Sequence, residues 1–115
     1  MKRLNLIVVA LALLALTLAP AVASAAERHQ WYGRDADGDR YSFGNTAGED
    51  WTGTFTGNGK TDSAPYKEVT RTEDFVELQL DGNKDARVRL YKDKLYFWSK
   101  SSGKWVEMCK GKWTN

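Results

Sequence analysis

The sequence predicts an all-β protein, a small antiparallel up-and-down β-barrel of about seven or eight strands that follows a cleaved signal peptide. Two observations support this fold class. Short runs of alternating apolar and polar residues recur after residue 26, and clusters rich in Gly, Asp, Asn or Ser separate them at the spacing of hairpin turns. No run has the periodicity of an amphipathic helix. Closure into a barrel is expected because it removes the exposed edges that an open sheet would leave.

The beginning of the chain has the pattern of a secretory signal peptide. Two cationic residues precede an apolar run, Leu6–Leu18, and the small residues of "APAVASAAE" (19–27) provide a cleavage site near Ala26. The apolar run is shorter than the roughly 20 residues that a membrane-spanning helix needs. The sequence therefore predicts a signal peptide at 1–26, a single domain at 27–115 without a transmembrane segment, and a periplasmic or secreted location.

The alternating runs can be assigned to strands one by one. In "DWTGTFTG" (50–57), Trp51 and Phe55 share one face with two glycines, while threonines, which favour a pleated and half-exposed surface, occupy the other. The longest predicted loop is "NGKTDSAP" (58–65), and "YKEVTRTEDFVELQL" (66–80) is either one long strand or two strands with a bulge. The other predicted strands are 28–34, 40–44, 86–91, 95–100 and 104–113.

The core of this domain is expected to rest on aromatic side chains. Small exported domains often compensate for a small core with disulfides, but Cys109 is the only cysteine, so no disulfide can form within the chain. All five Trp, five Tyr and four Phe residues lie in 27–115. Cys109 itself is expected to be buried as a small apolar residue or to pair between chains.

Charge is divided unevenly along the domain. Residues 27–83 hold 6 basic and 12 acidic side chains, whereas residues 84–115 hold 9 basic and 3 acidic ones. The two halves form an acidic and a basic face, or they neutralise each other where their strands pair. An exported protein meets no genome, so the sequence favours an acidic partner or an anionic envelope polymer, and no nucleic acid.

One aspartate pattern resembles a metal site. Asp35, Asp37 and Asp39 alternate as the first ligands of a calcium loop do. An EF-hand loop also needs Gly and Glu at later positions, and these hold Arg40 and Thr46. A solvated hairpin turn and a weak calcium site therefore both remain open.

The sequence contains little that would support catalysis. Adjacent acidic pairs such as Glu49-Asp50 point to opposite faces of a strand and do not converge. His29, the only histidine, lies near the predicted N-terminus of the mature chain, and a dyad with Cys109 is the one conceivable nucleophilic pair. Zinc spacings and phosphate-binding glycine loops are absent from the sequence. We therefore expect no enzymatic activity, no catalytic residues, no metal ligands and no cofactor.

Aromatic residues provide a second class of function. Tyr96 and Trp98 share one face of their strand, and Leu95 and Phe97 share the other, so one pair fills the core and the other lies outside. The alternation does not decide which. An outward Tyr96–Trp98 pair joined by Trp105 would be a stacking platform for a glycan or a protein, or a set of cross-strand pairs that stabilises the hairpin.

The segment "RLYKDKLYFWSKSSGKWVEMC" (89–109) resembles the C-terminal part of the MliC-type periplasmic and membrane-bound inhibitors of c-type lysozyme, whose strand often ends in Phe-Trp-Ser-Lys. The resemblance implies an eight-stranded antiparallel barrel with loops that enter the lysozyme cleft. It also implies that Lys100, supported by Ser99 and Tyr91, meets the catalytic carboxyl groups. An ammonium group there would form charge-assisted hydrogen bonds and exclude the substrate.

The predicted function is therefore that of an exported bacterial β-barrel binding protein. The preferred specific role is inhibition of a c-type lysozyme by the hairpin tip that carries Lys100. The alternatives are a ligand- or glycan-binding barrel that uses Tyr96, Trp98 and Trp105, and a structural protein of the cell envelope.

Overall fold

The computed structural model describes residues 28–115, which form a closed barrel of antiparallel strands. The eight strands are β1 (Gln30–Arg34), β2 (Arg40–Ala47), β3 (Asp50–Gly57), β4 (Lys60–Arg71), β5 (Phe75–Leu80), β6 (Arg87–Tyr91), β7 (Lys94–Ser99) and β8 (Lys104–Trp113). Consecutive strands pair with each other, and β1 also pairs with β8, which closes the sheet. The predicted all-β up-and-down barrel is confirmed. The signal peptide predicted at 1–26 lies outside the described residues.

The barrel has two ends that differ in what they carry. The terminal end holds residues 28–29 and 114–115 together with the β2–β3, β4–β5 and β6–β7 turns. The distal end holds the other four turns, among them 35–39 and 100–103. Within 28–115 no helix is long and apolar enough to cross a membrane.

The prediction of a loop at 58–65 is wrong, because β4 already begins at Lys60. Only Asn58 and Gly59 form the turn, and their positive φ angles of 52° and 73° are those of a two-residue hairpin turn. The following polar residues therefore belong to a strand. Pro65 lies within β4 at an exposed position.

The stretch 66–80 contains two strands, which settles the alternative left open by the sequence. Thr72 makes the turn between them: its Oγ1 accepts hydrogen bonds from the amides of Asp74 and Phe75 at 3.2 and 3.1 Å. This side-chain hydrogen bonding replaces a glycine-based turn. A threonine in an alternating run gives no such signal by itself, because threonine is also a favoured strand residue.

The core is aromatic, as the sequence suggests. Trp31, Trp51 and Phe43 are the largest fully buried side chains. Around them lie the other buried apolar residues, which are Tyr66, Val76, Leu78, Val88, Leu90, Leu95 and Cys109. Because every second residue of a barrel strand points inward, all strands contribute to this one cluster.

Trp31 fills the interior because two glycines leave space for it. Gly33 and Gly111 face each other in the β1–β8 pairing. A Cβ atom at Gly33 would lie 2.5 Å from Cη2 of Trp31, and one at Gly111 would overlap the same ring and the carbonyl oxygen of Tyr32. The indole Nε1 donates a hydrogen bond to the carbonyl oxygen of Tyr91 at 2.7 Å. One side chain therefore connects β1 to β6, a strand with which β1 does not pair.

Candidate functional site

The strand β7 divides its side chains between the core and the outer wall. Leu95 is fully buried and Phe97 packs against the core. Tyr96 and Trp98 therefore point outward, since neighbours in a strand face opposite ways. In the β7–β8 pairing Trp98 lies opposite Trp105, so Trp105 is also on the outer wall. This arrangement decides between the two orientations that the alternation left open.

Five outward rings form a group on the outer wall of β5–β8, which we call the aromatic surface: Phe75, Tyr91, Tyr96, Trp98 and Trp105. Tyr91 lies 5.2 Å from Phe75 and 5.2 Å from Tyr96, measured between ring centroids. Trp98 and Trp105 meet edge to face at 5.5 Å. These centroid separations are favourable for aromatic pairs, and the Tyr91–Tyr96 and Trp98–Trp105 pairs also have the preferred edge-to-face geometry.

Two arginines of β6 join the parts of the aromatic surface. The guanidinium carbon of Arg89 lies 4.4 Å from the ring centroid of Phe75 and 4.1 Å from that of Trp105. Arg87 lies 5.0 Å from Trp98 and 5.6 Å from Trp105. Cations at such distances are attracted to the faces of the rings. The indoles are therefore supported on a layer of planar cations and have little freedom to turn.

Glu77 is the shared counter-ion of the two arginines and compensates one of their two positive charges. It is the one charged residue among the buried residues of the described chain, at 7% exposure. Its Oε1 accepts a hydrogen bond from Nε of Arg89 at 2.8 Å, and its Oε2 lies 3.6 Å from Nη1 of Arg87. The acidic and basic halves of the sequence do neutralise each other here, because β5 pairs with β6.

A cleft of about 500 Å³ opens beside the aromatic surface at the terminal end. Its lining residues are Arg28, Glu73, Asp74, Phe75, Tyr91, Lys92, Asp93 and Trp113. Phe75 and Tyr91 belong to both the cleft and the aromatic surface, so the two are continuous. Arg28 is fixed in the wall by hydrogen bonds to the carbonyl oxygens of Thr72 and Glu73, at 2.7 and 3.2 Å. Five of the eight lining residues are charged and the other three are aromatic, so the cleft combines apolar ring faces with many hydrogen-bonding groups.

The chain matches no protein-family model, no curated protein and no solved structure. Its function is therefore inferred from the geometry of its own residues.

Of the three residues expected to make a lysozyme contact, Ser99 and Lys100 lie together and Tyr91 lies apart from them. Lys100 lies at the tip of the β7–β8 hairpin with a side chain that is 76% exposed, and its Nζ lies 3.0 Å from Oδ2 of Asp85. Ser99 is its neighbour, with Oγ 3.3 Å from Oγ of Ser101. Tyr91 lies at the terminal end, separated from them by the length of β7, about 17 Å. Tyr91 therefore cannot support Lys100 and contributes to the aromatic surface instead.

The aspartate turn is a structural feature of the distal end. Oδ1 of Asp35 accepts hydrogen bonds from the amides of Asp37 and Asp39, both at 3.0 Å, and Oδ2 accepts one from the hydroxyl of Tyr41 at 3.1 Å. Burial and this hydrogen bond raise the pKa of Tyr41 to about 12. In the described part of the chain, no three His, Cys, Asp or Glu residues are placed to hold a metal ion. Asp35 organises the turn as an Asx residue does.

Cys109 is buried on the inner face of β8 with 5% exposure. Burial raises the pKa of its thiol to about 11, so the thiol is protonated at neutral pH and is a poor nucleophile. Across 28–115 no hydrogen bond joins Cys109 to His29, whose Nε2 lies 2.6 Å from Nδ2 of Asn115 at the terminal end. Of the two alternatives for Cys109, burial as a small apolar residue is the one observed.

Sequence reasoning identified Tyr96, Trp98 and Trp105 but missed the residues that support them. Arg87 and Arg89 alternate with core residues in β6, as Glu77 does in β5. Placing these two alternations against each other across the turn that begins with Asp81, Gly82 and Asn83 would have suggested the ion pairs of Glu77. No alternation in the sequence indicated that Phe75 belongs to the site, because Phe75 is the first residue of β5.

Proposed function

We propose that this protein is an exported, non-enzymatic binding barrel that recognises a glycan of the cell envelope through the aromatic surface and the adjoining cleft. The observation that supports this proposal is the connection of two groups of aromatic rings through Arg89. Trp98 and Trp105 form one pair, and Arg89 joins Trp105 to Phe75, which contacts Tyr91 and through it Tyr96. Phe75 and Tyr91 also line the cleft.

The chemistry of a sugar fits this surface. A pyranose ring presents a face of C–H groups that packs on an indole or phenol ring and removes apolar surface from water. Its hydroxyl groups need hydrogen-bonding partners, and the cleft supplies carboxylates of Glu73, Asp74 and Asp93 and the ammonium group of Lys92. Rings fixed in advance by Arg87 and Arg89 lose little conformational entropy on binding.

Trp98→Ala is expected to weaken glycan binding at least about tenfold, because central indoles contribute most of the binding energy at such surfaces. Binding can be followed by tryptophan fluorescence and calorimetry, with oligomers of N-acetylglucosamine and soluble peptidoglycan fragments as probes. Tyr32→Ala is the matched control, since Tyr32 faces outward on β1, away from the aromatic surface. No binding of any probe by the wild-type protein, or an equal loss in the control, would contradict the proposal and favour a purely structural role.

Lysozyme inhibition through the distal hairpin is a second candidate function. It is favoured by the exposure of Lys100, whose ammonium group projects from the turn between β7 and β8. The group can reach a cleft with two carboxylates, where it would exchange its exposed ion pair with Asp85 for charge-assisted hydrogen bonds.

If the protein has this second function, we expect it to slow the lysis of a cell-wall suspension by a c-type lysozyme. We expect Lys100→Ala to abolish this inhibition. Asp85→Ala should retain it, because the mutation only releases the ammonium group. Lys84→Ala is the matched control, as another exposed lysine at the distal end. Full lysis in the presence of a large molar excess of the wild-type protein would rule this role out, and it would leave the glycan proposal untouched.

A further inference from the structure

Four cations lie side by side on the outer wall, in a row that crosses four neighbouring strands. Lys94 of β7 is the register partner of Lys110 of β8, Lys110 is the partner of Arg34 of β1, and Arg34 is the partner of Arg40 of β2. All four positions alternate with inward residues and therefore face outward. Lys112 adds a fifth positive charge next to the row on β8.

This arrangement is unfavourable for folding. Like charges on directly opposite strand positions repel, and each such pair lowers stability. Lys94 has a partner in Glu107, at 3.3 Å. Among residues 28–115, Arg34, Arg40 and Lys110 form no ion pair. The repulsion among these three cations is therefore not relieved by an ion pair within the described residues, which is the reverse of the situation around Glu77.

The row of cations is only one residue wide along each strand. Neighbouring strands are about 4.8 Å apart, so the four positions extend over about 14 Å of backbone along the curved wall of the barrel. On one side the next outward positions of β1 and β2 hold the uncharged Tyr32 and Ser42, and on the other side lie Glu107 and the acidic turn with Asp37. A planar anionic surface would have to contact these acidic residues as well. A single extended chain with regularly spaced negative charges would meet only the row.

We propose that the row formed by Lys94, Lys110, Arg34 and Arg40 binds a linear anionic polysaccharide along its length. The sulfate, phosphate or carboxylate groups of such a chain neutralise the adjacent cations, and the counterions of the polymer are released. Arg34 and Arg40 offer planar forks for these oxygens, whereas the lysines act as point charges. The proposal uses different residues from those of the aromatic surface, although Lys94 is the outward neighbour of Tyr96 on β7.

The test compares two double variants of equal charge. In Arg34→Gln/Lys110→Gln the centre of the row is removed, and in Lys84→Gln/Lys104→Gln two exposed cations outside the row are removed. Heparin is the probe, as a linear sulfated polysaccharide, and its affinity is measured by calorimetry at several ionic strengths. We expect the row variant to bind about tenfold more weakly with a less steep salt dependence, and the control to stay within about twofold of the wild type.

Two further readouts make the result decisive. The thermal midpoint of the row variant should stay the same or rise, because repulsion is removed, whereas a structural role for the row predicts a fall. Vesicles that contain anionic phospholipid should bind more weakly than heparin. The proposal is overturned if the wild-type protein does not bind heparin at low ionic strength, if both double variants lose affinity equally, or if the vesicles bind more tightly.

Discussion

Gly111→Ala is expected to lower the free energy of unfolding by about 3 kcal/mol, although it adds a single methyl group. A Cβ atom at Gly111 would overlap the ring of Trp31 and the carbonyl oxygen of Tyr32. The ring cannot move aside without cost, since it is 1% exposed and its Nε1 is hydrogen-bonded to the carbonyl oxygen of Tyr91. Urea unfolding followed by circular dichroism and tryptophan fluorescence measures the loss.

The cause of this loss can be isolated with two further variants. Gly44→Ala is the matched control, because a Cβ atom there would meet only the side chain of Gln30 at 3.5 Å, which is ordinary contact. It should be close to neutral. In a Trp31→Phe background the second ring of the indole is absent, and Gly111→Ala should then cost less than in the wild type by the part that the ring contributes, while the overlap with the carbonyl oxygen of Tyr32 remains. Equal losses in both backgrounds would show that the strand backbone, and not the ring, is the obstacle.

The arrangement around Trp31 also shows which part of the fold can be predicted from the sequence. Alternation sorts the residues of β3 and β7 into two opposite faces because a strand repeats every two residues, and this information is local. The space for Trp31 depends on the pairing of β1 with β8, at opposite ends of the domain. No local pattern indicates that Gly33 and Gly111 face each other, so these glycines cannot be assigned a role until the barrel is closed.

In the candidate site, too, some residues could be predicted from the local sequence and others could not. Tyr96, Trp98 and Trp105 were predictable because one hairpin holds them, and its turn is short. Tyr91 and Lys100 are only nine positions apart in the sequence, but β7 lies between them and carries them to opposite ends of the barrel. A local resemblance cannot reveal this separation, because it compares residues along the chain and does not include the direction of the strands.

The second large effect is expected at Glu77, which is buried between two cations. Glu77→Gln retains the size of the side chain but removes its charge, so Arg87 and Arg89 are left close together without a counter-ion. We expect a loss of about 2 kcal/mol in the free energy of unfolding, somewhat less than for a fully buried pair because both arginine side chains remain about 30% exposed. Added salt should recover part of the loss by screening the repulsion.

Glu107→Gln is the matched control for this experiment. Glu107 is 45% exposed and its partner Lys94 is 37% exposed, so the same change should cost less than about 0.5 kcal/mol. Removal of one of the two cations offers a second check: Glu77→Gln/Arg87→Met should be more stable than Glu77→Gln alone. If Glu77→Gln and Glu107→Gln have the same effect, the buried carboxylate does not have the role assigned to it.

The Glu77→Gln variant also tests whether the ion pairs of Glu77 matter for the proposed binding function. Arg89 lies between the rings of Phe75 and Trp105, so a guanidinium group released from Glu77 no longer holds the indole in a fixed orientation. We expect the near-ultraviolet circular dichroism of the tryptophans to weaken and glycan affinity to fall, even under conditions where Glu77→Gln is still fully folded. Glu107→Gln should change neither signal. An unchanged affinity in folded Glu77→Gln would mean that the ion pairs beneath the aromatic surface stabilise the barrel without preparing it for a ligand.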